Sequence, residues 1–367
     1  MNDIDDLILK TQHLVEARGN ALADELVATL QGAKEVIVGR MAELQARHLT
    51  GKPWEAESYA RKRAYLEAQR EAIDKLIAEI YAEMPRKAVE AAFDSMAYVE
   101  EEIGLGLAQI TENTISVADV TLAAVAAWAA VKTIDGLLIT EWFDKLSKST
   151  ADRIVSAGRE AVVLGLSVQD TARLIHQKGI EGGIPAIEAL SRTFLHAASN
   201  QANEEVIERN SDLIGKVRYE SILDGRTCAI CGVDDGKVFR LDEPRPELPR
   251  HLSCRCHYSP VVDMVVDEPP FKMEISSGGL PARPAHKHSG RTVHRRNGTT
   301  YTKFTVQSRE ITKETYSQWI ARQVKEDPEF AHKVLGKTRF ELVRDGKLNL
   351  ERMVVDGRIK RLSELGK

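Results

Sequence analysis

The sequence predicts a mainly α-helical protein with a small α+β module near its centre. Residues 1–184 contain only two of the 12 prolines, so long helices can form there, whereas the other ten prolines interrupt helices in the second half. Apolar residues in the first half recur every three or four positions, as they do along one face of a helix. Beyond Gly215 the pattern changes to short alternating runs separated by turn residues, which is typical of strands.

Length and composition limit the class of protein. The chain has 367 residues, enough for about two or three domains of ordinary size. With 43% hydrophobic and 29% charged residues, it is neither a disordered tail nor a collagen nor a membrane protein. Its net charge of -4 excludes a basic coat for nucleic acid along the whole chain, although not a local basic segment. The acidic start of the chain predicts no signal peptide.

The first part of the chain, residues 1–150, is predicted to be an N-terminal helical region with long helices. Two apolar stripes run through it at helical spacing, and Pro85 predicts a break after the second. The most apolar stretch, residues 120–131, falls short of the roughly 20 residues that a membrane-spanning helix needs, and its alanines favour a buried helix of a bundle. The stripes consist of Leu22, Leu26, Leu30, Ala33, Ile37, Met41 and Leu44, and of Leu66, Ile73, Ile77, Ile80 and Met84.

Residues 151–266 are predicted to form a second domain, in which helices lead into the α+β module. A capping box that begins at Ser167 opens a short helix, and Gly179 is placed to end it. A longer helix is predicted over about 185–209. Alternating side chains over residues 217–223 then predict a strand.

Two further segments complete the predicted organisation. Residues 267–311 are predicted to be a flexible basic linker, because positions 275–309 carry seven basic and no acidic side chains and bury little apolar surface. This linker can contact nucleic acid phosphates or an acidic protein surface, or it can simply be solvated. Residues 312–367 are predicted to form a short C-terminal α+β segment that begins with a helix and breaks near Pro328. One face of this helix consists of Tyr316, Trp319, Ile320 and Val324.

The cysteines have the spacing of metal ligands. Cys228-x-x-Cys231 is followed by His251-x-x-Cys254-x-Cys256, so all four cysteines fall within 29 residues. Two residues between cysteines allow a turn to aim both sulfurs at one ion, and tetrahedral Zn²⁺ takes sulfur at about 2.3 Å and nitrogen at about 2.0 Å. We therefore predict a structural Zn²⁺ site that staples the α+β module, residues 216–262, which has little core of its own.

The sequence offers one ligand more than a tetrahedral site needs. Cys228 and Cys231 form one pair, and the second pair is His251 with Cys254, Cys254 with Cys256, or His251 with Cys256. We expect Cys254 and Cys256 to point to opposite sides if that segment is extended, so that one of them only packs. His257 is a weaker candidate, and disulfides are an alternative that the lack of an export signal argues against.

Four short segments around the cysteines, taken together, resemble the signature of a known family. They are Asp224-Gly-Arg-Thr-Cys228-Ala-Ile-Cys231, Asp235-Gly-Lys-Val-Phe239, Pro249-Arg-His251-Leu-Ser-Cys254-Arg-Cys256 and Pro260-Val261, preceded by Arg192, Thr193, Asn200 and Asn203. The pattern resembles the signature of phage head morphogenesis proteins, the minor head protein family typified by the F protein of phage Mu. The resemblance covers residues 155–262, and Trp319, residues 335–339 and residues 345–348 resemble the tail of Mu-type members. Leu252 stands where the family often has proline, a position on which no ligand depends.

The resemblance implies a non-enzymatic structural protein of a tailed bacteriophage. Such a minor head protein is built into the prohead in the host cytoplasm, in few copies near the portal, and stays in the virion head. The implied partners are the portal protein, the major capsid protein or both, with packaged DNA reached through residues 275–309 and no contact with a membrane. Multiple copies around the portal are a further implication.

Two other functions compete with this one. An HNH-like metal-dependent DNA nuclease acting during packaging is the enzymatic alternative, but Arg250 precedes His251 where that motif usually has aspartate. A DNA-binding regulator with a zinc module is the other alternative. It requires tight binding at about 200 mM salt, which seven basic charges argue against.

Overall fold

The computed structural model describes residues 3–261, 263–268, 271–276, 283–294, 300–355 and 357–365. Helices dominate the fold, and the strands form small sheets. The helices are α1 (Asp3–Gly32), α2 (Lys34–His48), α3 (Tyr59–Tyr81), α4 (Met84–Thr111), α5 (Leu122–Ala129), α6 (Ile139–Val163), α7 (Val168–Leu174), α8 (Ile184–Arg209), α9 (Ala229–Asp234), α10 (Tyr316–Glu326), α11 (Pro328–Leu335), α12 (Lys337–Arg344) and α13 (Leu350–Met353). Within these described residues, no helix is long and apolar enough to cross a membrane.

Short strands separate several of the helices. The strands are β1 (Thr133–Ile134), β2 (Leu137–Leu138), β3 (Lys216–Glu220), β4 (Leu223–Asp224), β5 (Val238–Arg240), β6 (His257–Val261), β7 (Asp263–Glu268), β8 (Phe271–Ser276), β9 (Arg283–His294), β10 (Thr300–Thr312), β11 (Val354–Val355) and β12 (Arg358–Ile359). The sheet that matters most for the site has the order β5-β3-β6, with β3 antiparallel to both neighbours. Opposite Tyr219 on β3 lies Tyr258 on β6.

The N-terminal helices form one core with α8. The first predicted stripe lies inside: Leu26, Leu30 and Ile37 are fully buried. Ala33 stands at the break between α1 and α2, and Pro85 lies in the first turn of α4, where a proline costs no hydrogen bond. These features confirm the predicted helix faces and the predicted break.

The apolar stretch at residues 120–131 differs from the prediction of a buried bundle helix. Only α5 is helical there, and it buries Val125 and Ala129 while Leu122 and Val131 remain 47% and 75% exposed. Alanines bury little area each, so an eight-residue helix can be held by one edge and leave its other faces in solvent. Trp128 supplies that edge by packing on Phe194 of α8, with 5.5 Å between the ring centroids.

The helices that lead to the cysteines follow the predictions closely. Ser167 caps α7 by accepting a hydrogen bond from the Asp170 backbone N–H at 3.1 Å, as its capping-box spacing predicts. The chain does not end its helix at Gly179 but continues through a π-helical turn, Ile175–Ile180. The domain division remains a prediction, and its boundary at 150/151 lies inside the continuous helix α6.

The structure differs from the flexible linker predicted over residues 267–311. The described residues of 267–311 pair as strands: β7 with β8, and β9 with β10 in a long antiparallel hairpin that has a register shift near Val306. At its base, β9 also pairs in parallel with β4. The prediction from composition was wrong here because a high positive charge does not prevent backbone pairing. Its alternating threonines, valines and aromatic residues favour extended backbone.

The C-terminal helices form a second core on the far side of the cysteines. The predicted face of α10 is buried, and α11 begins at Pro328 as expected. Trp319 is fully buried at the centre of this core and packs edge-on against Phe330, with 5.7 Å between centroids. Leu223 of β4 and Ala285 of β9 belong to the same cluster, so the C-terminal helices pack onto the strands that flank the cysteines.

Candidate metal centre

A tight turn at the start of α9 brings the first two cysteines together. Cys228 is the N-cap of α9, and its Sγ accepts a hydrogen bond from the Cys231 backbone N–H at 3.5 Å. Cys231 lies within the first turn and is 2% exposed, whereas Cys228 is half-buried. Both sulfurs therefore face the same side of the helix, as two ligands of one ion require.

His251 comes from the loop between β5 and β6 and completes a first group of donors. Its Nε2 lies 3.2 Å from Cys228 Sγ and 3.4 Å from Cys231 Sγ. Its Nδ1 lies 2.8 Å from the Leu252 carbonyl oxygen, which can only accept a hydrogen bond, so Nδ1 carries a proton. In the neutral ring the lone pair is then on Nε2 and points at the sulfurs.

Cys254 and Cys256 converge on the same place. The Sγ atoms of Cys231, Cys254 and Cys256 lie within 4.8 Å of one another and form a second group that shares Cys231 with the first. The expectation that Cys254 and Cys256 point to opposite sides is wrong, because residues two apart along an extended backbone share one side, and the two sulfurs converge. Ser253 has a left-handed φ of 68°, and the Cys254 N–H donates to the His251 carbonyl at 3.0 Å.

Crowded thiols shift one another's pKa values. A contact with Cys231 Sγ, joined by His251, lowers the pKa of Cys228 to about 4, and the Cys228 sulfur raises the pKa of His251 to about 9. Contacts with Cys231 and Cys256 lower the pKa of Cys254 to about 2, while contacts with Cys228, Cys254 and Cys256 raise the pKa of Cys231. Negative charge is thus concentrated on the sulfurs of the half-buried Cys228 and the buried Cys254, a distribution that a divalent cation would neutralise.

Ion pairs hold the loops that carry the donors. Arg255, between Cys254 and Cys256, points away from the sulfurs and binds Asp224 with both guanidinium nitrogens at 2.9 and 2.7 Å. Asp224 is 1% exposed, so this pair is shielded from solvent. Arg250 in turn pairs with Asp234 at the end of α9. The His251 loop is thereby tied to the helix that carries Cys231.

Helix α8 anchors the strand and loop beyond the cysteines. Asn200 and Asn203, which the sequence pattern singled out, donate to the Cys256 and Tyr258 carbonyls at 3.0 and 2.6 Å. Thr193 accepts from the Ser253 N–H at 2.7 Å. The spacing of these polar residues along a buried helix face is the signal that relates α8 to the metal centre.

Two residues near the cluster escaped the sequence pattern. Tyr219 on β3 is fully buried, and burial together with the neighbouring Cys256 and Cys231 raises the pKa of its phenol. Asp135, in the turn between β1 and β2, accepts from the Leu252 N–H at 2.8 Å. No local signal identifies either residue, because Tyr219 belongs to an ordinary strand and Asp135 is more than 100 residues away in sequence.

Asp235 joins the cysteine region to the second core. One carboxylate oxygen accepts from the Ser221 N–H at 2.7 Å and from Arg283, and the other accepts from Arg283 and from the Tyr316 N–H at 2.6 Å. Arg283 also donates to the Ser221 and Glu314 carbonyls, both at 3.0 Å. One buried carboxylate therefore links β3, β9 and the start of α10.

We expect Gly232→Ala to weaken the packing of the C-terminal helices on α9. A Cβ at Gly232 would lie 2.3 Å from the Tyr316 ring and 3.0 Å from Leu350, so the ring has to move. The expected cost is about 1–3 kcal/mol of unfolding free energy, measured by urea denaturation. Gly215→Ala is the matched control, since a Cβ there meets nothing within 4 Å. Equal stability of the two variants would contradict the packing described here.

We also expect acid to destabilise the fold through His196 of α8. Burial, with the charge of Arg255 nearby, lowers the pKa of His196 to about 4. The unfolded chain, with an imidazole pKa near 6.5, then binds a proton between these values that the folded chain does not. Stability is therefore intact above pH 6.5 and declines as the pH falls, by about 2 kcal/mol at pH 5.

The measurement is urea unfolding at about pH 7.5 and pH 5 for the wild type, His196→Asn and the control His48→Asn. Between about pH 7.5 and pH 5 the unfolding free energy of the wild type should fall by about 2 kcal/mol through His196. This fall should be absent from His196→Asn and present in His48→Asn. A pH dependence that is the same in His196→Asn and in the wild type would show that His196 is not its source.

The arrangement as a whole can bind a metal ion. Five sulfur and nitrogen donors lie within two overlapping groups, each of them within 4.8 Å. All four cysteines are free thiols. The structure brings together all five donors that the sequence predicts, Cys228, Cys231, His251, Cys254 and Cys256, whereas His257 instead contacts Gln12 and Glu220.

A comparison with known families identifies this region. Residues 152–259, from within α6 to within β6, match the family model described as Phage Mu protein F like protein. No curated protein and no solved structure gives a significant match. The matched residues contain the whole Cys/His cluster and its α8 anchor. This match over residues 152–259 supports a phage head morphogenesis family and confirms the resemblance seen in the sequence.

Proposed function

We propose that this protein is a structural minor head protein of a tailed bacteriophage, incorporated near the portal during prohead assembly and stabilised by a structural zinc ion. The observation that carries the proposal is the presence of a buried Cys/His cluster inside the residues that match the family. Head morphogenesis families are typically structural, and we assign no catalytic role to any residue of the cluster.

The donor set fits zinc. Thiolate sulfur and imidazole nitrogen are the ligands of structural zinc sites, whereas Mg²⁺ and Ca²⁺ prefer oxygen. Four protein ligands would leave a bound ion no open position, as in structural rather than catalytic sites, and Cys231 and Cys254 are only 2% exposed. When bound, the ion supplies the cross-link that ties α9 to the loop before β6.

We propose Cys228, Cys231, His251 and Cys254 as the four ligands. Cys254 favours the thiolate through its contacts with Cys231 and Cys256, and through the backbone N–H groups of Cys256 and Arg250. Cys256 instead lies immediately before β6, next to Tyr219, and is buried. Its contact with Cys231 favours the thiolate, but Cys254 and burial raise its pKa. Cys256 is therefore the fifth donor, which packs as a neutral thiol beside the site.

The partners follow from the proposed place in the particle. The helices of residues 1–150 offer surfaces to the portal protein or the major capsid protein, and the basic hairpin of β9 and β10 offers charge to packaged DNA. Assembly takes place in the host cytoplasm, and the protein then remains in the virion head. None of these partners needs a membrane.

The proposal is tested by quantitative peptide mass spectrometry on gradient-purified proheads and mature virions. Peptides from both ends of the chain are expected in both particles, in few copies. The purified protein is also expected to contain one zinc per chain by elemental analysis and to leave plasmid DNA uncut with added Mg²⁺ or Mn²⁺. Absence from both particles would contradict the structural role, and reproducible nicking would favour the HNH-like nuclease.

A further inference from the structure

A groove with acidic residues lies on the N-terminal helices, outside the residues that match the family. The last turns of α4 and the loop that follows, residues 112–120, enclose about 750 Å³. The loop is fixed in place: Asn210 exchanges two hydrogen bonds of 2.8 Å with Ser116, and Val117 packs so closely on Gly104 that a Cβ there would lie 2.3 Å from it. The groove is therefore preformed.

The floor of the groove contains a buried carboxylate, and one of its oxygens accepts no hydrogen bond from the described residues. Glu100 is 2% exposed, and one of its oxygens accepts from the Ala118 N–H at 3.1 Å. Its other oxygen, Oε1, has no hydrogen-bond partner among the described residues. A buried carboxylate oxygen without a donor is costly, and a cation brought to the groove would satisfy it.

The rim of the groove is acidic and its walls are partly apolar. Glu101, Glu112 and Asp119 line it, are exposed, and form no ion pair in the part of the chain that the structure describes. Beside them Leu105 and Val117 are 56% and 46% exposed. A partner that fits must therefore present several cations together with apolar side chains.

This chain itself contains a segment of that chemistry. Residues 287–309, which we call the basic ribbon, contain six basic and no acidic residues, together with valines and aromatic residues. The base of β9 is held by β4 and by the buried Asp235–Arg283 pair, but beyond His286 the described residues of β9 pair only with β10. Beyond this anchored base, the described residues of the ribbon are thus the two paired strands β9 and β10.

We propose that the acidic groove of one copy binds the basic ribbon of a second copy. The groove and the ribbon are different surfaces, so the contact is head-to-tail and each bound copy leaves one groove and one ribbon free. Such a heterologous contact propagates into a ring or a filament rather than closing as a symmetric dimer. This contact can be tested on the purified protein alone and does not depend on the proposed role in a phage head.

The test reverses charge on each surface of the full-length chain. One variant carries Glu101→Lys, Glu112→Lys and Asp119→Lys in the groove, and the other carries Lys287→Glu, Arg291→Glu, Lys303→Glu and Arg309→Glu in the ribbon. We expect the wild type to self-associate in sedimentation velocity at about 50 mM salt and to dissociate at about 500 mM, since the contact is electrostatic. Each variant alone should associate at least about tenfold more weakly, because like charges then face each other.

Mixing the two variants should restore association, because a basic groove then meets an acidic ribbon and an acidic groove meets a basic one. A single chain carrying all seven substitutions should also regain self-association. The control Asp24→Lys with Glu79→Lys and Asp144→Lys changes the net charge by as much as the groove variant does, on exposed positions of α1, α3 and α6, and should behave as the wild type. A wild type that stays monomeric, or association that survives reversal of the ribbon, would overturn the proposal; so would a mixture that does not associate.

Discussion

Replacement of Cys231 by alanine is expected to abolish metal binding and to unfold the α+β module. Cys231 belongs to both groups of donors, so no rearrangement of the remaining four can replace it within the same geometry. Structural zinc contributes on the order of 10 kcal/mol to the folding of small zinc domains, which equals the whole stability of an ordinary domain. Elemental analysis should fall from about one zinc per chain to near zero, with loss of the module's amide protection in hydrogen exchange.

Cys256→Ala is the matched control, because it also removes a buried thiol but, in our proposal, not a ligand. It should keep one zinc per chain and lose only about 1–2 kcal/mol through the small cavity that it leaves. A chelator should lower the melting temperature of the wild type and of Cys256→Ala, and should leave Cys231→Ala unchanged. Full zinc content in Cys231→Ala would refute the proposed ligand set, and loss of zinc in Cys256→Ala would exchange the roles of Cys254 and Cys256.

Asp235→Ala is expected to cost about 3–5 kcal/mol of unfolding free energy. The substitution removes the partner of Arg283, whose side chain is 10% exposed, and leaves that guanidinium without its counterion. It also frees the Ser221 and Tyr316 N–H groups, both of which are buried. Because these groups belong to three separate elements, the C-terminal helices should separate from the module before the N-terminal helices unfold.

Urea denaturation followed by limited proteolysis measures both effects. Asp242→Ala is the control, since Asp242 forms a comparable ion pair with Arg240 but is 73% exposed, and it should change stability by less than about 1 kcal/mol. Asp235→Asn, which keeps an acceptor oxygen, should fall between the two. A cost for Asp235→Ala no larger than that of the exposed control would mean that the buried pair is not what holds the C-terminal helices.

Helices with strong periodicity could be predicted from sequence because a helix face depends on local spacing. The stripes through Leu26, Leu30 and Ile37, the cap at Ser167 and the start of α11 at Pro328 all lie where the pattern places them. Composition alone was a poorer guide, as the linker expected over residues 267–311 shows. Backbone pairing between β9 and β10 depends on a partner strand, and average charge carries no information about it.

The prediction of a buried bundle helix over residues 120–131 was wrong for a related reason. Apolar composition shows that a helix gains by burial, but the available surface decides how much of it is covered. Here α4 and Phe194 of α8 cover one edge of α5, which includes Val125 and Ala129, and the other side chains of the helix stay exposed. The acidic groove escaped prediction in the same way, because Glu100, Glu112 and Asp119 come together only where the loop after α4 folds back.

The sequence by itself determined the helical class, the five candidate metal donors and the resemblance of the surrounding segments to a phage head family, because ligand spacing and residue type are local properties. Only the tertiary structure decided how the donors converge. The left-handed turn at Ser253 aims Cys254 and Cys256 at Cys231, and α8 and Asp135 hold that loop from distant parts of the chain. The link through Asp235 is likewise tertiary, since a buried carboxylate needs donors from several elements, and only the folded chain brings those donors within hydrogen-bonding distance.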